Sequence, residues 1–212
     1  MATAVLIIGS SGSGKSASLR NFPDKSYGLI NVLDKDLPFK TQKKWISSTD
    51  YKTVKQALMS YCEKTDAIVI DDAGYMITDQ FIINHGANKG NAVFELYNDL
   101  AKNFYNLIRY IKTELPKHVV VYVMMHEDRN DLGYVKPKTI GRMLDEKIDI
   151  PGMFTIVLNA AKKDGKYIFK TQTDGYDVTK SPIGLFPSNE IDNDLYEVHK
   201  AILSYNKEVK HD

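Results

Sequence analysis

The stretch Ile7-Ile-Gly-Ser-Ser-Gly-Ser-Gly-Lys-Ser16 constrains this chain more than any other, because it sits between an apolar run and the first turns of a helical segment. Ala4-Val-Leu-Ile-Ile8 reads as a buried strand, and Ala17-Ser-Leu-Arg20 continues as helix over residues 15 to 21. Gly9, Gly14, Lys15 and Ser16 fit the spacing G-x-x-x-x-G-K-[ST] in the strand-loop-helix context that gives this spacing its meaning. Phosphate oxygens need many donors at short range, so Gly12 and Gly14 let the backbone curl until successive N–H groups point inward. Gly9, Ser10, Ser11, Gly12, Ser13, Gly14, Lys15, Ser16 and Ala17 are the expected nucleotide contacts. Lys15 reaches the terminal phosphates in this reading, and the Ser16 hydroxyl is one ligand of a Mg²⁺ that otherwise keeps water and phosphate oxygens.

The 212 residues suit one α/β domain spanning 1–212. Strands are expected at Tyr27–Leu33, Ala67–Ile70, Val119–Met125, Phe154–Leu158 and Tyr167–Thr171, and helices at 51–64, 76–84, 92–114 and 194–206. Asp50 is the expected cap of the first of these helices. Residues 85–91 and 127–151 read as loops, the second with one turn of helix. Lys163-Asp-Gly-Lys166 is a hairpin turn signal. Strands alternating with helices and followed by a hairpin predict a mainly parallel sheet flanked by helices, with a C-terminal antiparallel hairpin. Ligands of such sheets gather at the carboxyl ends of the strands.

Three further strand ends carry chemistry. Ala67-Ile-Val-Ile-Asp71 is an apolar strand closed by an acid, which places Asp71 on Mg²⁺ through water. Asp72 and Asp34, the latter ending the Tyr27–Leu33 strand, are rivals for the base that activates water, with Asp34 slightly ahead. His126, closing the Val119–Met125 strand with Glu127, is the expected sensor of the γ-phosphate.

A formal net charge of +1 excludes binding of polynucleotide through bulk positive charge. Any such contact must come from a local patch repeated in an oligomer. Four arginines, none clustered, argue against a kinase that clamps two charged substrates. The single cysteine, Cys62, reads as a buried structural thiol. No apolar stretch reaches the roughly 18 residues of a membrane span, and the first strand starts too early for a leader, so the cytoplasm is the expected compartment.

The order of these features resembles the RecA-like branch of the P-loop ATPases. As a whole the chain is similar to the small phage-encoded RecA-core ATPases associated with recombination and single-strand annealing. The likeness is carried by Met125-His-Glu127, Lys136-Pro-Lys-Thr-Ile-Gly-Arg142, Phe169-Lys-Thr-Gln-Thr-Asp-Gly175, Thr179-Lys-Ser-Pro182 and the tail 186–194. The resemblance implies a RecA-like fold, ATP with Mg²⁺ as cofactors, and a ring or filament of identical subunits acting on single-stranded DNA in the host cytoplasm, beside a single-strand-binding protein. It implies DNA contact through Lys89 in the 85–91 loop and through Tyr134, Lys136, Lys138 and Arg142 in the 127–151 loop. Lys180 matches the cation that such enzymes extend into a neighbouring subunit's site. An Asp at position 34, where the family usually has Glu, and the lack of a separate DNA-binding domain depart from the family pattern and count against fast hydrolysis and independent strand exchange. A helicase loader, a packaging ATPase, a small-molecule kinase and a regulatory ATP-holding module are the competing readings.

Overall fold

Alternation along the apolar runs assigns each residue to one face of a sheet. In the computed structural model, which describes residues 1–85, 91–140 and 142–208, the strands are β1 (Thr3–Gly9), β2 (Tyr27–Asn31), β3 (Ala67–Asp71), β4 (Val120–Arg129), β5 (Val135–Pro137), β6 (Ile156–Lys163), β7 (Lys166–Lys170) and β8 (Glu190–Asp192). The helices are α1 (Tyr51–Cys62), α2 (Gly74–His85), α3 (Asn91–Glu114), α4 (Arg142–Asp145) and α5 (Leu195–Glu208). The sheet order is β2-β3-β4-β1-β6-β7-β8, with β5 paired to the far end of β4. The first five strands of that order run parallel, whereas β7, β8 and β5 pair antiparallel. The protein is therefore an α/β structure built on a mostly parallel mixed sheet flanked by helices.

Both faces of the parallel strands are covered, which is why these strands are apolar throughout rather than alternating with polar residues. Leu6, Ile8, Ile68, Ile70, Val121 and Val123 pack with Val54 and Leu58 of α1, Ile77 of α2 and Leu100, Phe104 and Ile108 of α3. Val5, Ile7, Val69, Tyr122 and Met124 face the other way, against Leu19, Phe22 and Leu195, Val198 and Ile202 of α5. Full burial of each such aliphatic side chain contributes about 1.5–3 kcal/mol before chain entropy is set against it. Asp50 caps α1 by accepting from the Thr53 N–H at 2.7 Å. Cys62 is buried, and burial raises its thiol pKa. No helix among the described residues is long and apolar enough to cross a membrane.

Several expected boundaries move for local reasons. The helix after the glycine loop is a 3-10 segment, Ser16–Asn21, because Ser18 shares its N–H between the carbonyls of Gly14 and Lys15, and Phe22, preceding Pro23, is extended. The strand expected over residues 27–33 stops at Asn31, and Asp34 adopts a left-handed φ of 54°. The segment 127–151 is not a long loop. There β4 runs on to Arg129 and pairs with β5, around a turn in which the Asn130 side chain accepts from the N–H groups of Leu132 and Tyr134. Pro137 is tolerated in β5 because that strand is an edge. The expected Asp164-Gly165 turn joins β6 and β7, with both φ angles positive. The short β8 escaped the sequence reading, since three residues carry no periodicity.

On the α5 side a buried histidine links helix and sheet. Tyr122 Oη lies 2.9 Å from His199 Nδ1, and His199 Nε2 lies 3.2 Å from Asp66 Oδ1, so one neutral tautomer satisfies both partners. Burial lowers the His199 pKa despite the pull of Asp66. The folded state then binds fewer protons than the unfolded chain, so this contribution to stability is present above about pH 6.5 and is lost as pH falls below it. The melting temperature is expected to drop between about pH 7 and pH 5.5. His199→Gln is expected to have a lower melting temperature at neutral pH and a shallower fall, which thermal melts at several pH values check.

Candidate functional site

Parallel pairing brings the ends of β1, β3 and β4 to one edge. Gly9 lies opposite His126, and β4 separates β1 from β3, so the end of β4 falls between the glycine loop and Asp71. Glycine is required at position 9 by crowding: a Cβ there would stand 2.6 Å from the Ala160 carbonyl oxygen and 2.4 Å from Ser13 Oγ. At Gly14, φ is +102° and a Cβ would press on the Tyr167 ring at 2.8 Å. The absence of a side chain at both positions lets the loop lie close to β6 and β7.

Lys15 is buried beneath its own loop. Its ammonium donates to the carbonyls of Gly9 at 2.7 Å and Ser10 at 2.9 Å. Burial lowers its pKa, opposed by the charges of Asp72, Asp71 and Glu127. The Ser16 hydroxyl donates to Asp71 Oδ2 at 2.7 Å. Asp71 is 3% exposed, its Oδ1 has no hydrogen-bond partner among the described residues, and burial raises its pKa against the Ser16 hydrogen bond.

That arrangement suits a hard cation. The Ser16 oxygen keeps its lone pairs while its proton is engaged by Asp71, and the unpartnered Oδ1 is available to a metal-bound water. No group of three or more His, Cys, Asp or Glu side chains among the described residues is arranged as an all-protein metal cage. A Mg²⁺ held here by one hydroxyl, one carboxylate and the ligand's own oxygens fits these residues.

Asp72 follows in the left-handed region, with φ of 59°, and this turns its buried carboxylate into the same cleft. It forms an ion pair with Lys35, and its Oδ1 lies 3.2 Å from His126 Nε2. Burial, followed by the charge of Lys15, lowers the His126 pKa against the attraction of Asp72. The cleft holds about 260 Å³ and is lined by the loop residues Ser11, Gly12 and Gly14 to Ala17, and by Lys35, Asp36, Pro38, Asp71, Asp72, His126 and Tyr167. It adjoins a hollow of about 690 Å³ that shares Ala17, Pro38 and Tyr167 with it. A larger groove, of about 900 Å³, lies over α1, α2 and α3, away from the glycine loop.

Some expected site residues stand apart from this cleft. Asp34 is exposed, accepts from Trp45 Nε1 at 2.7 Å and does not line the cleft, whereas Asp72 faces the glycine loop. Ser10 lines the opposite side of the loop with Glu127 and Asn159, whereas buried Ser13 has no partner for its Oγ among the described residues. Lys180 is half-buried, pairs by backbone with Val157 and lies outside the cleft. Lys136 forms an ion pair with Asp145, Lys138 is exposed, and Tyr134 is partly exposed. Lys89 and the Arg142 side chain lie outside the described residues. Sequence reasoning passed over Lys35 and Tyr167. A cation one residue beyond a strand-ending acid was the available signal for Lys35, whereas Tyr167 reaches the loop only through the hairpin register.

No protein-family model matches the chain, and no curated protein matches it either.

Burial of the Asp71 charge with one unpartnered oxygen opposes folding. Asp71→Asn removes that charge while keeping an acceptor for Ser16. Its melting temperature at neutral pH is therefore expected to equal or exceed that of the parent, as measured by calorimetry.

Proposed function

We propose that the chain is a RecA-like P-loop ATPase that binds ATP with Mg²⁺ between the glycine loop and the β3 acids, and that acts on single-stranded DNA as an oligomer. The observation that carries the reading is the convergence of Lys15, Ser16, Asp71, Asp72 and His126 on one cleft at the carboxyl edge of a parallel sheet. The cradle N–H groups of residues 12–16 and the Lys15 ammonium take the phosphate oxygens, which requires Lys15 to leave the carbonyls of Gly9 and Ser10. Ser16 and Asp71 would hold the Mg²⁺, which would supply neutralisation of charge on the phosphates.

Asp72 is placed to orient water and accept its proton as the water oxygen bonds to the γ-phosphorus and the bond to the ADP oxygen breaks. His126, against Asp72 and at the end of β4, is placed to report on the γ-phosphate. No arginine among the described residues lines the cleft, which favours hydrolysis over a kinase that clamps a second charged substrate.

The His126 carbonyl accepts from the Lys138 N–H at 2.7 Å, which joins the end of β4 to the basic segment. This supports DNA contact through Tyr134, Lys136, Lys138 and Arg142 that responds to nucleotide, with Lys89 and a single-strand-binding protein as further partners. Lys180 reaches a neighbouring subunit's site in this reading, and the host cytoplasm is the proposed location.

Lys15→Ala is expected to weaken nucleotide binding in calorimetry by about tenfold or more with the fold intact. Asp72→Asn is expected to bind ATP yet lose turnover by about 100-fold or more, whereas Asp34→Asn keeps turnover. Single-turnover assays separate these outcomes, and loss in the Asp34 variant alone would overturn the assignment. ATPase activity measured with and without single-stranded DNA, with particle size followed in the same samples, tests the DNA reading. Replacing Lys136, Lys138 and Arg142 by Ala is expected to weaken strand binding regardless of sequence, and Lys180→Ala to lower turnover only in the assembled form. A protein that stays monomeric with ATP and DNA, or normal strand binding by the triple variant, would refute it.

A further inference from the structure

Lys35 is the one cation of the cleft for which the nucleotide reading has no role. It and Lys15 are the two lysines among the described lining residues, and they are held differently. Lys15 is buried under the loop, whereas the Lys35 side chain is 56% exposed at the rim and rests its ammonium on the buried Asp72 carboxylate. Its backbone is fixed despite lying in a loop. The buried Asn31 side chain donates to the Lys35 carbonyl at 2.6 Å and accepts from the Lys35 N–H at 3.3 Å. Asn31 is itself in register with Asp71 across the β2–β3 pair. The root of this lysine is thus set by the same strands that set the metal-binding carboxylate, and only its flexible stem is left to move.

Its place along the cleft selects which phosphate it meets. The cleft continues into the adjoining hollow past Ala17, Pro38 and Tyr167, and Lys35 does not line that hollow. In the nucleotide reading, the sugar and base of the ligand leave on that side. In that same reading the part of the cleft lined by Asp71, Asp72, His126 and Lys35 receives the last phosphate.

We propose that Lys35 is the residue that distinguishes a nucleoside triphosphate from a diphosphate: its ammonium turns from the Asp72 carboxylate to the terminal phosphate when a third phosphate is present. The exchange keeps a charge-assisted partner on Lys35 in both states and leaves Asp72 with His126 as its neighbour. A diphosphate offers no oxygen at that position, so Lys35 stays on Asp72. The proposal rests on the nucleotide-binding reading above and adds the source of its selectivity.

The test is calorimetry of MgATP and MgADP with the full chain and four variants, with melting temperatures taken in parallel. Lys35→Ala is expected to weaken MgATP by about tenfold while MgADP changes less than about twofold, and Lys35→Arg to keep the preference for MgATP. Asp72→Asn releases Lys35 and is expected to tighten MgATP more than MgADP. In the double variant Lys35→Ala/Asp72→Asn that extra gain is expected to shrink to the part owed to lost repulsion between Asp72 and the terminal phosphate. Equal weakening of both nucleotides by Lys35→Ala, no weakening of either, or a gain from Asp72→Asn that is undiminished by the loss of Lys35 would each overturn the proposal. Wild-type protein that binds neither nucleotide would instead refute the reading on which it rests.

Discussion

Two adjacent carboxylates buried at the end of one strand govern the arrangement of this edge of the sheet. Asp71 and Asp72 are each about 3% exposed, and charges so placed cost several kcal/mol unless partners compensate them. The compensation comes from separate parts of the chain. Ser16 serves Asp71, Lys35 and His126 serve Asp72, and the Lys15 charge acts on both. A glycine loop, the segment after β2 and the end of β4 are therefore drawn together by one electrostatic requirement. The demand of Asp71 is met only in part, since its Oδ1 has no hydrogen-bond partner among the described residues.

The sheet makes this convergence possible because its parallel strands all end on the same side. With β4 inserted between β1 and β3, the loop after β1 must reach across the end of β4 to bring Ser16 to Asp71. That reach explains the crowding at Gly9 and Gly14: the loop passes against Ala160 and Tyr167 on one side before descending to β3 on the other. Larger residues at either position would lift the loop and separate Ser16 from its carboxylate. Of the three left-handed aspartates, Asp34 and Asp72 mark where β2 and β3 give way to turns, and of these only Asp72 turns its carboxylate into the cleft.

What sequence made legible follows the range of the interactions. The glycine loop, the apolar strands, the Asp50 cap and the Asp164-Gly165 turn are specified by neighbours in the chain, and each appears where local chemistry puts it. The β4–β5 hairpin was not legible, because Gly133 and Pro137 signal a loop unless the extension of β4 is already known. The pairing of Lys136 with Asp145 escaped for a related reason: the acid lies just beyond a stretch free of acids. The choice between Asp34 and Asp72 depended on backbone φ and on Trp45, eleven positions away, neither of which periodicity encodes. Lys35 was hidden because its value lies in a partner 37 residues distant.

These contacts also give the site a route outward. His126 touches Asp72 through its ring and the Lys138 N–H through its carbonyl, so a single residue belongs to both the cleft and the segment that follows β5. A displacement of the ring that carries its backbone along is felt directly at Lys138, whose side chain is exposed. Lys35 offers a second route, through Asn31 to the end of β2. Both routes begin at Asp72, so whatever changes the partners of that one carboxylate changes two loops at once. The described residues thereby hold a physical means of making the surface around Lys138 depend on the partners of Asp72.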